Sequence, residues 1–274
     1  MKNQANIVGA KINGNSLSDI KLFNIKNRQE YKKEKNTKID IKKIVEKNSF
    51  DLLGVTVIAK DVVVTDNQTE VIDTLGYDEN YRLVIIEYRH GKFSNLIKKG
   101  LVIIDYIRKF PAKVKVMLAG YENKNFKCND LDLNPRLIII GDDFNSYDEF
   151  AIRQMPYEID LIKYQLFGEN IIALEKVYQS TKEIIINKKL IVNSYFATIH
   201  NFILSLGDEV VATGNNYYTS YRKIRNFVYL IFQEQLIAKV KVKGEYKDYK
   251  VKSKVDCDKV IKIIEQSYDE EWWN

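Results

Sequence analysis

The sequence predicts an α/β protein of the α+β kind: a mixed sheet flanked by helices, followed by a smaller α+β domain. Three observations predict it. Between residues 39 and 178 the apolar spacing runs in the order α-β-β-β-α-β-α-β-β, which calls for a sheet with helices on its faces. Arg136–Gly141 is a continuous apolar run, the mark of a strand buried on both sides. After Gln179–Lys189 the composition turns basic, and a helix, several short strands and a final helix follow.

The elements follow from their local patterns. Residues 1–38 are polar and lysine-rich and read as an N-terminal arm. Ile39, Ile41, Ile44, Val45, Phe50, Leu52 and Leu53 recur at helical spacing until Gly54 interrupts them. Val55–Val64, Val71–Leu75 and Leu83–Tyr88 are β-rich, and Gly76–Asn80 joins the last two as a hairpin. Leu96, Ile97, Leu101, Ile104 and Ile107 mark a helix over Phe93–Lys109 that Pro111 ends. Residues 112–134 fit helix and strand equally. Tyr147–Gln154 reads as a short helix, and Ile159–Tyr164 with Ile171–Val177 as a hairpin around Gly168. The first domain therefore spans 39–178. The second, 190–274, holds a helix over Ser194–Leu206, strands between Val210 and Val255 and a helix over Cys257–Tyr268.

Composition excludes several classes. The 274 residues are 45% hydrophobic and 29% charged, as in a folded protein rather than a disordered one. No apolar run approaches the roughly 20 residues of a membrane-spanning helix, and the start lacks the apolar stretch of a secretory signal. Two distant cysteines build no disulfide framework, so a reducing cytoplasm is expected. Two histidines leave too few ligands for a Cys/His zinc site and argue against a His-based triad. Any metal would be held by oxygen. No Walker-type or Gly-x-Gly-x-x-Gly loop occurs, which argues against nucleotide hydrolysis and dinucleotide redox chemistry.

The chemistry concentrates in residues 70–89. Alternation puts Leu83, Ile85, Glu87 and Arg89 on one strand face, and a hairpin closing near residue 80 sets Asp73 opposite Glu87. Two carboxylates in an apolar sheet repel each other unless a cation intervenes. Arg89 is one such cation. A divalent metal is the other: Mg²⁺ favours one or two carboxylates plus water and phosphate oxygens, which suits phosphodiester hydrolysis. An ordinary ion pair at a sheet edge fits the same pattern. His90 alternates away from Arg89 and reads as exposed or structural.

Longer stretches carry a resemblance: Ile72-Asp73-Thr74-Leu75, Val84-Ile85-Ile86-Glu87-Tyr88-Arg89, Gly100-Leu101 with Asp105-Tyr106, Pro135–Ile140, and Asp143-Phe144 with Tyr147-Asp148, Ala151 and Gln154. In that order they resemble the PD-(D/E)xK, restriction-endonuclease-like nuclease superfamily. Within it they are similar to an uncharacterised bacterial family labelled "predicted transport protein", whose label finds no support in a chain without a membrane-spanning run. The resemblance covers most of residues 40–178. It implies a restriction-endonuclease-like sheet, a nuclease acting on DNA more than RNA, and Mg²⁺ or Mn²⁺ as cofactor. Asp73 and Glu87 take the metal positions, with Glu46 on the first helix and Asp61 on the first strand assisting. Arg89 stands where the family has the lysine of its ExK signature. Arginine keeps its proton and cannot serve as a base. Lys99, in place of a helix glutamine that faces the site, is positioned to replace the missing amine. Loss of activity explains both departures equally well.

Positive charge gathers in the second domain. Between Arg222 and Lys254 lie ten Lys/Arg and three Asp/Glu, a local +7 against a chain total of +6. Alternation of Lys239, Lys241 and Lys243, and of Lys250, Lys252 and Lys254, predicts a basic strand face with Val240, Val242 and Val251 on the other. Tyr217, Tyr218, Tyr221, Tyr246 and Tyr249 lie nearby. The expected partner is nucleic acid bound through phosphates; a solvated face that guards a sheet edge is the competing reading. Segments of this region, including Ile203–Val210 and Asn226-Phe227-Val228, resemble the small domain of unknown function that follows the nuclease-like unit in that family. The acidic-aromatic end Asp269–Asn274 leaves a protein partner or a homodimer open.

Overall fold

The structure, a computed structural model, describes residues 22–34, 40–65, 69–89, 95–168, 171–179, 194–214 and 217–270. The chain divides into two units, one of residues 1–49 and 56–180, the other of residues 50–55 and 181–274. Each contains helices and a sheet, so the fold is α+β as the patterning predicts.

In the first unit, β1 (Leu22–Asn24) and β2 (Gln29–Tyr31) form a small hairpin, and β3 is Lys33–Glu34. The polar arm expected up to Lys38 thus enters the sheet early: Lys33 and Glu34 pair with Phe167 and Leu166. The first expected helix is two, separated at Asn48: α1 (Ile41–Lys47) in this unit and α2 (Ser49–Leu53), which but for Ser49 is counted with the second unit. Asp40 caps α1 by accepting the Lys43 N–H.

β4 (Val55–Thr65), β5 (Thr69–Asp78), β6 (Arg82–Tyr88), β7 (Asp132–Gly141), β8 (Ile159–Phe167) and β9 (Ile171–Gln179) complete the sheet. Its order is β3-β8-β7-β6-β5-β4, with β9 on the other edge of β8. β5 and β6 are antiparallel, whereas β6–β7 and β7–β8 are parallel. Parallel neighbours need crossovers, supplied by α3 (Leu96–Lys109) with α4 (Pro111–Ala119) and by α5 (Ser146–Arg153). The ambiguous stretch 112–134 is helical to Ala119, because Pro111 opens α4 at a position where its missing N–H costs nothing, and its last residues, from Asp132, begin β7.

β6 is buried at every position, and so is β7 from Pro135 onward, which explains the unbroken apolar run of β7. Leu75, Leu83, Ile85, Leu137, Ile139 and Leu161 pack with Ile103, Ile104 and Ile107 of α3 and Val114 and Leu118 of α4 in one core. Two guanidiniums are buried among these strands. Arg136 Nε donates to Asp160 Oδ2 at 2.8 Å, and Arg82 Nη1 to Glu158 Oε2 at 2.7 Å. Arg136 Nε also lies 3.7 Å from Glu158 Oε1, linking the two pairs.

The second unit is a meander between two helices. α6 (Ser194–Ser205) precedes β10 (Val211–Gly214), β11 (Tyr218–Arg222), β12 (Asn226–Phe232), β13 (Leu236–Val242) and β14 (Glu245–Val251), and α7 (Lys254–Glu270) follows. Each strand pairs antiparallel with the next. Phe196, Ile199 and Ile203 of α6 and Cys257, Val260 and Ile264 of α7 pack with Val228, Leu230, Leu236, Ala238 and Val240.

Within that core the His200 Nδ1 sits 2.7 Å from the hydroxyl of the fully buried Tyr221, and the ring stacks on Phe196. Burial lowers the imidazole's proton affinity, and its Nδ1 shares a hydrogen bond with the phenol hydroxyl. The unfolded chain protonates this imidazole first as pH falls, so the contribution is complete above about pH 6.5 and is lost below it. Lowering the pH from 7.5 to 5 removes this contribution, which the difference between wild type and His200→Phe in urea titrations at the two pH values isolates from other titrating groups. Relative to His200→Phe, wild type is expected to lose stability on that pH drop; equal changes in the two proteins would locate no such effect at His200.

Candidate active site

β5 and β6 bring the two predicted carboxylates together. The ladder pairs Thr74 with Ile86, Leu75 with Ile85 and Tyr77 with Leu83, and the same register continues to set Asp73 opposite Glu87. Asp78 closes the turn by accepting the Asn80 and Arg82 N–H groups. Beyond Thr74 the side chains take over from the ladder. The Asp73 N–H donates to Glu87 Oε1 at 3.4 Å, and the Tyr88 N–H donates to Asp73 Oδ2 at 3.1 Å. Each carboxylate is thereby oriented by the other residue's strand.

The cation between them comes from α3. Lys99 Nζ lies 2.5 Å from Glu87 Oε2 and 3.6 Å from Asp73 Oδ1. Gly100 permits this approach, since a Cβ there would run into the Leu137 side chain on β7. With no side chain at 100, α3 settles against the strand and its first turn carries Lys99 over the acids. The Glu87 side chain is fully buried, while Asp73 and Lys99 keep about a quarter and a fifth of their surface in water. Burial pushes the Glu87 carboxyl up to about 8, with Asp73 adding to the rise and Lys99 opposing it. The arrangement is a buried acid next to a second carboxylate and an amine that both reach water.

Arg89 does not join the pair as the alternation predicts. Its Nη1 donates to Asp148 Oδ2 at 2.8 Å and to the Asp143 carbonyl at 3.2 Å, and its guanidinium lies over the Phe144 ring. Asp148 sits in the first turn of α5, where Asn145 and Asp148 form a reciprocal capping box. A guanidinium has a longer reach than its strand position suggests, and this acid at a helix start outcompetes the more buried pair. Arg89 is thus an anchor for α5.

Glu46 and Asp61 lie in the same neighbourhood, both acting with Asp73 on the Lys42 ammonium, but each has a different ion-pair partner. Glu46 Oε1 accepts the Thr74 hydroxyl at 2.7 Å, with the Tyr88 hydroxyl 3.4 Å from the same Thr74 oxygen, and Glu46 Oε2 pairs with Lys60 at 2.7 Å. Thr74 and Tyr88 alternate with Asp73 and Glu87, so Glu46 stands behind the acid pair. Asp61, with φ of 52°, is largely exposed and pairs with Lys42 at 2.5 Å. Among the described residues no three His, Cys, Asp or Glu side chains converge as a metal group. Of the four carboxylates expected from the resemblance, Asp73 and Glu87 share one ammonium, Lys99, while Glu46 and Asp61 pair with Lys60 and Lys42.

The six lysines of the second unit do not form one strand face. Lys239, Lys241 and Lys250 share a face, since Lys239 pairs with Asp248, Lys241 with Tyr246 and Ile237 with Lys250. Lys243 lies in the β13–β14 turn with φ of 53°. β14 ends at Val251, so Lys252 falls in a turn whose N–H donates to Asp256, and Lys254 begins α7. Asp248 on the shared face reduces its charge. His90 and the tail residues Trp272 and Trp273 lie outside the described residues.

Sequence reasoning missed Asp148, Thr74 and Lys60. Asp148 follows Asn145 at the N-cap spacing, which signals a helix start, but nothing local pairs it with Arg89. Among the described residues no helix is long and apolar enough to cross a membrane. No family model, no curated protein and no solved structure matches the chain.

Proposed function

We propose that the protein hydrolyses phosphodiester bonds in nucleic acid, with Mg²⁺ or Mn²⁺ held by Asp73 and Glu87. The observation that carries this reading is the convergence of one oxygen from each carboxylate, Asp73 Oδ1 and Glu87 Oε2, on a single cation. The donor set fits these ions. Mg²⁺ is satisfied by one or two carboxylates and takes its other ligands from water and phosphate, so a third acid is not required. When bound, such an ion polarises a phosphoryl oxygen and lowers the pKa of a coordinated water. Lys99 then provides the amine at the scissile phosphate, since Arg89 is committed to Asp148. Lys239, Lys241 and Lys250 of the second unit would add phosphate contacts along the chain. DNA is preferred over RNA on the resemblance alone, and a cytoplasmic location fits the cysteine usage.

A second reading is a non-catalytic module that retains a nuclease-like fold and binds nucleic acid or a protein. The Arg89–Asp148 ion pair favours it, because the charge at the ExK position is then engaged at a helix start.

The test uses the full chain with single- and double-stranded DNA and RNA, in Mn²⁺ or in EDTA, at two salt concentrations. Metal-dependent cleavage supports the first reading. Binding that persists in EDTA and weakens steeply with salt, without cleavage, overturns it in favour of the second. Neither binding nor cleavage rejects both nucleic-acid readings.

A further inference from the structure

The four oxygens of the acid pair fall into two sets. Glu87 Oε1 and Asp73 Oδ2 accept backbone N–H groups of the neighbouring strand, at 3.4 and 3.1 Å. These bonds fix the rotation of each carboxylate. The remaining two, Glu87 Oε2 and Asp73 Oδ1, face one position, and Lys99 Nζ holds it at 2.5 and 3.6 Å.

We propose that Lys99 is a built-in competitor for the divalent cation: its ammonium and the metal claim the same two oxygens, and a phosphodiester group releases the lysine. This rests on the reading of Asp73 and Glu87 as metal ligands. An ammonium at that distance offsets the negative charge that the pair carries, and a dication arriving at the same oxygens must displace it against Coulomb attraction that is strong at a buried site. Lys99 is on the first turn of α3, with about a fifth of its side chain in water, so its tip can swing outward. A phosphodiester anion next to the metal offers the displaced ammonium a new partner. Metal and nucleic acid therefore raise each other's affinity, by reciprocal linkage. Without a polyanion the protein holds its metal weakly, which keeps a hydrolytic centre unarmed until substrate arrives.

The experiment measures Mn²⁺ affinity of the full chain by calorimetry for wild type, Lys99→Met, Lys99→Gln and Lys99→Arg, with circular dichroism as the check of folding. Lys99→Met keeps the apolar stem and removes the charge, and is expected to bind Mn²⁺ at least tenfold more tightly than wild type. Lys99→Gln should follow it and Lys99→Arg should not. Equal or weaker Mn²⁺ binding by both neutral variants overturns the competition while leaving the metal site standing. Absence of Mn²⁺ binding in every variant rejects the metal reading itself. A second measurement needs no substitution: a cleavage-resistant phosphorothioate oligothymidylate should tighten Mn²⁺ binding to wild type. An uncharged methylphosphonate oligomer of the same sequence should not. Equal effects of the two oligomers also overturn the proposal.

Discussion

Glu87→Gln is expected to remove metal-dependent cleavage and, at the same time, to stabilise the metal-free protein at alkaline pH. The first effect follows from losing one of two anionic ligands. Several kcal/mol of charge stabilisation disappear, a fall of about 10³-fold or more in rate. The second follows from the fully buried carboxyl, which holds its proton up to about pH 8 against an ordinary value of 4.5. Between those values the folded protein binds more protons than the unfolded chain, so this group's contribution falls as pH rises, by up to about 1.4 kcal/mol per pH unit. The amide carries no such dependence. Urea denaturation at pH 6 and pH 8.5 should show the variant gaining relative to wild type at the higher pH, and calorimetry in Mn²⁺ should show the gain reversed as metal stabilises only the wild type. A variant that cleaves like wild type removes Glu87 from the site; one that loses stability at pH 8.5 contradicts the cost assigned to its burial.

Arg136→Met is expected to be the most damaging substitution outside the site, lowering stability by about 3–5 kcal/mol. Asp160 is fully buried, and both Nε and Nη2 of Arg136 donate to its Oδ2. Removing the guanidinium leaves that carboxylate without its cation and weakens the hold on Glu158. The double variant Arg136→Met/Asp160→Leu removes both charges and should recover most of the loss, because a buried ion pair contributes little beyond an apolar pair of similar volume. Denaturant midpoints of the single and double variants decide it. A single variant within about 1 kcal/mol of wild type would mean that water reaches Asp160.

The hairpin at the heart of the site was legible because two local signals agree. Period-two alternation in β6 and a polar turn after Asp78 fix a register in which residue numbers of partners sum to a constant. The double burial of β7 was legible from its unbroken run of Leu and Ile, whereas that of β6 was not, because Arg82, Glu87 and Tyr88 interrupt its apolar residues. Arg89 was misplaced because alternation specifies where a Cβ points and not where a long side chain ends. Its partner, Asp148, lies 59 positions away on another element. The Arg82, Arg136, Glu158 and Asp160 network left a fainter trace, a charge flanking each apolar run, which reads as a strand end until the neighbouring strands are known. Lys33–Glu34 gave no signal, since an edge pair of two residues makes no period. Glu46 sits on the expected helix but is turned to Thr74, a hydroxyl that no spacing rule selects.

The three residues that meet at the acid pair lie in one hairpin and the first turn of the helix that follows it, so their encounter requires closing only short loops. Loops of that size close in well under a microsecond, whereas the parallel pairing of β7 and β8 with the rest must wait for much longer excursions of the chain. The centre can therefore take shape before the sheet around it is complete, and native-state hydrogen exchange would find its amides guarded as one cooperative block with the hairpin. The tether from Arg89 to α5 belongs to the slower stage, and until it forms that guanidinium must be solvated by water.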